Sequence, residues 1–152
     1  MRLKGKISPG ALRGSLLIER FHYRIRSILG FEPFKGTLDI RLEKPVEVKD
    51  FSTKTIEHIL VDGSKLVEAY LAPAVLHVKD NDHKCWVIRP AKYTQNKEFI
   101  EIIDKDHLKD KLSLKEGEEV EVTLCEKQKD KKDPPGMGLL RRLYGKETRL
   151  KV

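Results

Sequence analysis

Thr37 and Asp39 stand two residues apart in the segment Gly36-Thr37-Leu38-Asp39, at the mouth of a stretch with strand-like alternation. Residues i and i+2 of a strand project to the same face, so this spacing sets a hydroxyl beside a carboxylate. Two hard oxygens so placed suit Mg²⁺, which keeps several waters and completes its shell on substrate phosphates. The same pair also fits the polar outer face of an ordinary strand, and spacing alone leaves both readings open. A second segment runs from Ser8 through Pro9, Gly10, Ala11, Leu12, Arg13 and Gly14 to Ser15. Glycines let the main chain approach phosphates and present its N–H groups as a nest; the same residues also make a hairpin turn between two strands. The third segment is 89–103, where Tyr93, Thr94, Gln95 and Asn96 form a polar loop leading to Glu101 in an otherwise apolar strand. A carboxylate there can bind a hydroxyl-rich ligand or take its proton, or it can face outward from an edge strand.

Other chemistries find little footing. No segment fits GxxxxGK[ST], HExxH, GxSxG or a kinase-type HRD. His22, His58, His77, His83 and His107 show no metal-ligand spacing. Cys85 and Cys125 stand apart with no CxxC, and are expected as two buried, reduced thiols.

The elements that must position these groups follow from hydrophobic periodicity. Leu3, Gly5 and Ile7 alternate with basic residues in a strand expected to end at Pro9-Gly10. Residues 15–20 read as a second short strand. Ile25, Ile28 and Leu29 fall at helical spacing before Gly30, a C-cap residue. Leu38, Ile40 and Leu42 alternate with Thr37, Asp39 and Arg41, which predicts a half-buried strand with Thr37 and Asp39 on its polar side. Asp62-Gly63 is a hairpin signal, and residues 80–83 mark a second turn leading into a strand over 84–90. Residues 99–104 predict another strand, 106–114 a short amphipathic helix carrying Leu108, Leu112 and Leu114, and 116–125 a closing strand. Six or more short strands with two small helices make the chain mainly β and favour a compact barrel over parallel α/β layers.

A length of 152 residues suits one domain. With 39% hydrophobic and 36% charged residues, the chain has a core and a densely ionic surface. No apolar run approaches a membrane span, and the first ten residues hold no apolar leader core, so a cytoplasmic protein is expected. The net charge of +7 is uneven: residues 126–152 hold nine basic and four acidic residues, or +5. The first 125 residues carry 22 basic and 20 acidic residues, only +2. Residues 1–125 are therefore expected to form the folded domain and 126–152 a basic linker and tail. The tail opens an alternative function, a small β-barrel that binds RNA or DNA through it. The nearly neutral body and an aromatic content of 7% weigh against that alternative.

Taken in order, the segments at 28–42 (ILGFEPFKGTLDIRL), 88–90 (IRP), 99–104 (FIEIID) and 112–124 (LSLKEGEEVEVTL) resemble the archaeal CTP-dependent riboflavin kinase family. The likeness covers about residues 3–125. It implies a small six-stranded cradle-loop (RIFT-type) β-barrel with two or three short helices. It also implies an enzyme that moves the γ-phosphoryl of CTP onto the ribityl 5′-hydroxyl of riboflavin, giving FMN and CDP, with Mg²⁺ as cofactor. By that resemblance Thr37 and Asp39 hold the metal. Gly10, Ala11, Leu12, Arg13, Gly14 and Ser15 form one wall of the nucleotide site, and Asp106, His107, Leu108 and Lys109 the other. Tyr93, Thr94 and Glu101 contact the flavin, and Glu101 and Asp39 carry the catalytic role. The partners are then riboflavin/FMN and CTP/CDP, and a monomer that binds neither membrane nor nucleic acid is expected. The chain departs from the family pattern in three places. Asp39 stands where Asn is usual, Leu12 and Arg13 fill a turn usually of Gly-x-Gly-Glu-Gly character, and Tyr93 occupies the place of a Thr, with Thr94 one residue later.

Overall fold

In the computed structural model, residues 1–9, 14–92 and 96–126 are described. Seven strands and two helices follow in the order β1 (Arg2–Ser8), α1 (Gly14–Leu29), β2 (Leu38–Leu42), β3 (Lys54–Ile59), β4 (Lys65–Val78), β5 (Asn81–Pro90), β6 (Phe99–Ile103), α2 (Leu108–Lys111) and β7 (Glu119–Leu124), with a single 3₁₀ turn at Val48–Phe51. All pairings are antiparallel. Neighbours run β3-β4-β5-β6-β2-β1-β7, and β7 returns to pair with β4. Six strands thus close a barrel-like ring, and β3 hangs outside it.

The 14-residue β4 makes this closure possible. One of its edges pairs with β5; the other pairs with β3 up to Leu71 and with β7 from Ala74 onward. Pro73, which has no N–H to donate, sits at that change of partner. Its carbonyl still accepts from the Cys125 N–H at 3.1 Å. Proline therefore falls at a position where the ladder is already interrupted.

Strand alternation divides the apolar residues between two cores. Ile7, Leu38, Ile40, Leu42, Ala72, Leu76, Val87, Ile100, Ile102 and Val122 fill the inside of the ring. On the outside, Ile18, Phe21 and Ile25 of α1 cover Ile56, Ala69, Leu71, Ile88 and Ile103. Spacings of three and four residues along α1 give one apolar stripe. Residues 15–20, expected as a strand, form the first half of this helix instead. The run Leu16-Leu17-Ile18 has no period of its own, and packing of Ile18 and Phe21 against the sheet selects the helix. The backbone departs from helical values at Phe21 (φ −118°, ψ 20°). β1 is therefore followed by a helix and not by the second strand that a hairpin would need; residues 10–13 lie outside the described residues, and Gly14 opens α1.

Several local signals act as expected. Gly30 takes φ +82° and donates to the Arg26 carbonyl at 2.8 Å, closing α1. Gly63 takes φ +85° in the β3–β4 hairpin, where Asp62 Oδ1 accepts from the Ser64 N–H and hydroxyl at 2.9 and 2.6 Å. The β4–β5 turn lies slightly earlier than expected: Val78 pairs with Asn81 and Lys79 takes φ +55°, so Asn81–His83 already belong to β5. The amphipathic helix over 106–114 is confined to one turn, which buries Leu108 while Leu114 enters the core beyond it. Cys85 is buried and its thiol pKa is pushed up to about 12, mainly by burial; Cys125 is only half-buried. No helix of the described residues is long and apolar enough to cross a membrane. The tail beyond Glu126 lies outside them.

β1 and β2 press closely together at Gly5. A Cβ there would sit 2.6 Å from the Arg41 carbonyl oxygen and 2.8 Å from Ile40 Cγ2. Backbone cannot yield as a side chain tip can, so Gly5→Ala is expected to cost about 1–3 kcal/mol. The variant should show a lower urea midpoint at an unchanged m-value.

Candidate functional site

The site is built on the outer face of β2 and β6 and the last residue of β1. Leu38, Ile40 and Leu42 face the inside of the ring, so Thr37 and Asp39 face out. β6 alternates likewise: Ile100 and Ile102 face in and Glu101 faces out. The β2–β6 register sets Asp39 directly opposite Glu101, and the β1–β2 register sets Ser8 opposite Asp39. Ser8, Asp39 and Glu101 therefore form one row across three strands.

The Thr37 hydroxyl joins the two carboxylates of that row. Thr37 Oγ1 lies 2.7 Å from Asp39 Oδ1 and 3.3 Å from Glu101 Oε1. A hydroxyl has one proton to donate, so the closer Asp39 oxygen is its better acceptor. Asp39 was expected on a polar, half-exposed face, yet it is only 3% exposed, and Glu101 5%. Burial raises the Asp39 pKa above the ordinary carboxylate value. The Thr37 hydrogen bond and the Lys109 charge pull it back in part. β6 is paired on both sides, with β5 and β2, so Glu101 is not on an edge strand.

The neighbouring wall comes from the segments on either side. Phe34 and Gly36, ahead of β2, face Asp104, Asp106, His107 and Lys109 across a small pocket that includes Thr37. Phe34 N–H donates to the Asp104 carbonyl at 2.8 Å, and its ring stacks on His107 with centroids 4.8 Å apart. Asp104 Oδ2 accepts from the Asp106 N–H and lies 3.3 Å from His83 Nε2. Lys111 donates to Asp106 at 2.7 Å, which holds that carboxyl below its usual range. His107 Nδ1 meets Asp110 Oδ2 at 2.7 Å, while the Leu108 side chain belongs to the core.

The structure thus brings Thr37, Asp39 and Glu101 together, with Asp106, His107 and Lys109 on an adjoining wall. Ser15 lies in the first turn of α1. Tyr93 and Thr94 lie outside the described residues, as do Gly10, Ala11, Leu12 and Arg13. Buried Arg89 donates to the carbonyls of Val46, Lys97 and Phe99, the last two at 3.1 and 2.6 Å. Asp104 escaped the sequence reading, and its signal was its place at the end of the 99–104 strand. Ser8 was singled out with the 8–15 segment but was not joined to Asp39 and Glu101.

Comparison with known proteins gives this geometry a family. A family model named for the CTP-dependent riboflavin kinases, and described as domain of unknown function DUF120, matches residues 7–124. The chain belongs to the CTP-dependent riboflavin kinase family. Its relatives include the riboflavin kinase of Pyrobaculum islandicum, 29% identical over 127 residues, which cover 82% of this chain and 60% of that protein. The riboflavin kinase of Sulfurisphaera tokodaii is 28% identical over 80% of this chain and 93% of its own length. That of Saccharolobus solfataricus is 30% identical, over 80% and 73% respectively. The chain therefore spans about three fifths of the Pyrobaculum relative and nearly all of the Sulfurisphaera one. The family match runs from β1 through β7 and includes Ser8, Thr37, Asp39, Glu101 and Lys109.

The raised Asp39 pKa has a definite sign in stability. The folded state holds the Asp39 proton more tightly than the unfolded chain does. Its contribution is full below the unfolded carboxyl pKa, about 3.9, and is lost as pH rises through the folded value. Asp39→Asn keeps an acceptor for Thr37 and carries no charge. In metal-free buffer it should melt higher than the parent at pH 7.5, with the gap closing towards pH 4. Circular dichroism melts across that range provide the check.

Proposed function

We propose that the chain is a riboflavin kinase that transfers the γ-phosphoryl of CTP to the 5′-hydroxyl of riboflavin, giving FMN and CDP, and that residues 1–125 carry this activity. The observation that supports it most is the Thr37 hydroxyl set between two buried carboxylates on neighbouring strands, in a chain of this family. Phosphoryl transfer needs positioning and charge neutralisation more than covalent chemistry from the protein.

A divalent ion fits the donors. The Thr37 hydroxyl and the Asp39 carboxylate are hard oxygens, and the buried Asp39 charge has only partial compensation from Lys109. Among the described residues no group of three or more His, Cys, Asp and Glu side chains forms a metal cage. Two protein oxygens suit an ion that takes the rest of its shell from water and phosphate. Thr37 and Asp39 would hold Mg²⁺, which when bound neutralises phosphoryl oxygens.

The protein's own groups take the other parts. Glu101, directly across the ladder from Asp39, accepts the proton of the ribityl 5′-hydroxyl as that oxygen bonds to the γ-phosphorus and the bond to the β-phosphate oxygen breaks. Lys109 brings positive charge to the nucleotide side, and the stacked Phe34 and His107 rings keep that wall in place. By the family resemblance, residues 10–15 would belong to the nucleotide site, and Tyr93 and Thr94 would contact the flavin.

With riboflavin, Mg²⁺ and a panel of nucleoside triphosphates, FMN should form fastest with CTP and be abolished by a chelator. Thr37→Ala and Glu101→Gln should each lower kcat by about 10²–10³-fold with folding intact. Absence of FMN with every nucleotide would refute the kinase assignment, and a preference for ATP would refute the donor.

A further inference from the structure

A second concavity, much larger than the pocket beside Thr37, lies away from this site. It is an open groove of about 560 Å³ on the outer face of β1, β2 and β7, reaching the end of β4. Its size is that of small-molecule sites. The inward residues of β1 are Leu3, Gly5 and Ile7, which leaves Arg2, Lys4 and Lys6 pointing out into the groove. Lys6 sits opposite Arg41 on β2 and Glu119 on β7, and Lys4 opposite Glu121. Lys79, just past the end of β4, adds a further cation.

The charges in the groove are not all spent on each other. Arg2 is bound to Glu121 at 3.0 Å, and Arg41 lies over the Phe99 ring at 5.8 Å. Among the described residues, Lys4, Lys6 and Lys79 have no side-chain hydrogen bond or ion pair. Three ammonium groups and the Arg41 guanidinium thus face one concavity beside the paired Arg2. Glu43 and Glu119 stand in the same groove as acceptors. His77 lies beside them between Asp82 Oδ1 at 2.6 Å and Thr123 Oγ1 at 2.7 Å.

We propose that this groove is a second ligand site, which takes a small phosphorylated, hydroxyl-bearing molecule. The lysines and Arg41 would meet the phosphate, and the glutamates would accept from hydroxyl groups. A long phosphodiester strand fits less well, because Glu43, Glu119 and Glu121 interrupt the positive face with like-charge repulsion. The groove shares strands with the Thr37–Asp39–Glu101 cluster, since Lys6 and Arg41 lie two residues from Ser8 and Asp39 on the same face. Its residues are nonetheless separate from that cluster, and the inference does not rest on the kinase assignment.

Titration of the isotope-labelled full chain with ribose 5-phosphate, followed by amide NMR shifts, tests it. Shifts should centre on residues 2–6, 41–43 and 119–121. Lys4→Gln with Lys79→Gln, both exposed, should weaken binding by about tenfold or more. In the parent protein, raising salt from about 20 to 200 mM should weaken it too. Unphosphorylated ribose should leave these residues unmoved. No shifts at millimolar ligand, shifts confined to the Thr37–Glu101 region, or unchanged affinity in the double variant would overturn the site. Equal affinity for inorganic phosphate would overturn the hydroxyl contribution, and tighter binding of a single-stranded oligonucleotide would overturn the small-molecule class.

Discussion

Everything in this fold hangs on the closure of the ring at β4. Antiparallel strands can meander indefinitely, but a sheet edge left open exposes its N–H and C=O groups. Here β4 is long enough to serve two partners in succession along one edge, β3 and then β7, while β5 occupies the other edge. Closure encloses one apolar core and fixes all six registers relative to one another. A slip of one residue in any strand would exchange its inner and outer faces. The outer faces carry the chemistry, so ring closure and site assembly are one problem.

The carboxylate row shows this dependence. Asp39 and Glu101 are 62 positions apart in the chain and become neighbours only through the β2–β6 register. Like charges facing each other across a ladder are unfavourable, and burial makes Asp39 more costly still. The fold offsets part of that cost with a Thr37 hydrogen bond and the nearby Lys109. What remains is a demand for positive charge, the kind of local cost that binding sites retain and ligands relieve.

Much of the scaffold was legible in the residues because its signals are local. Alternation located β1, β2, β6 and β7, and Gly30 and Gly63 marked a helix end and a hairpin through conformations that glycine adopts freely. The first half of α1 was not legible: three consecutive apolar residues carry no period, and the helix is chosen by the sheet it covers. Thr37 and Asp39 drew attention through spacing, yet spacing could not show that Asp39 is buried, because the cover comes from distant parts of the chain. The opposition of Ser8 and Glu101 to Asp39 was hidden for the same reason, since register between remote strands has no local signature. The family resemblance suggested the chemistry that these gaps left open, and the match over residues 7–124 shows the family itself.

The position of β3 outside the ring separates two kinds of sequence freedom. Its hairpin ends in exposed Ile59, Leu60 and Val61 and makes no pairing with any strand that bears Ser8, Asp39 or Glu101. Lengthening or shortening that tip leaves each ring register intact, whereas one residue added within β2 or β6 would move a carboxylate to the wrong face. Drift in chain length is therefore tolerable at the hairpin tip, residues 59–64, and forbidden within the ring strands.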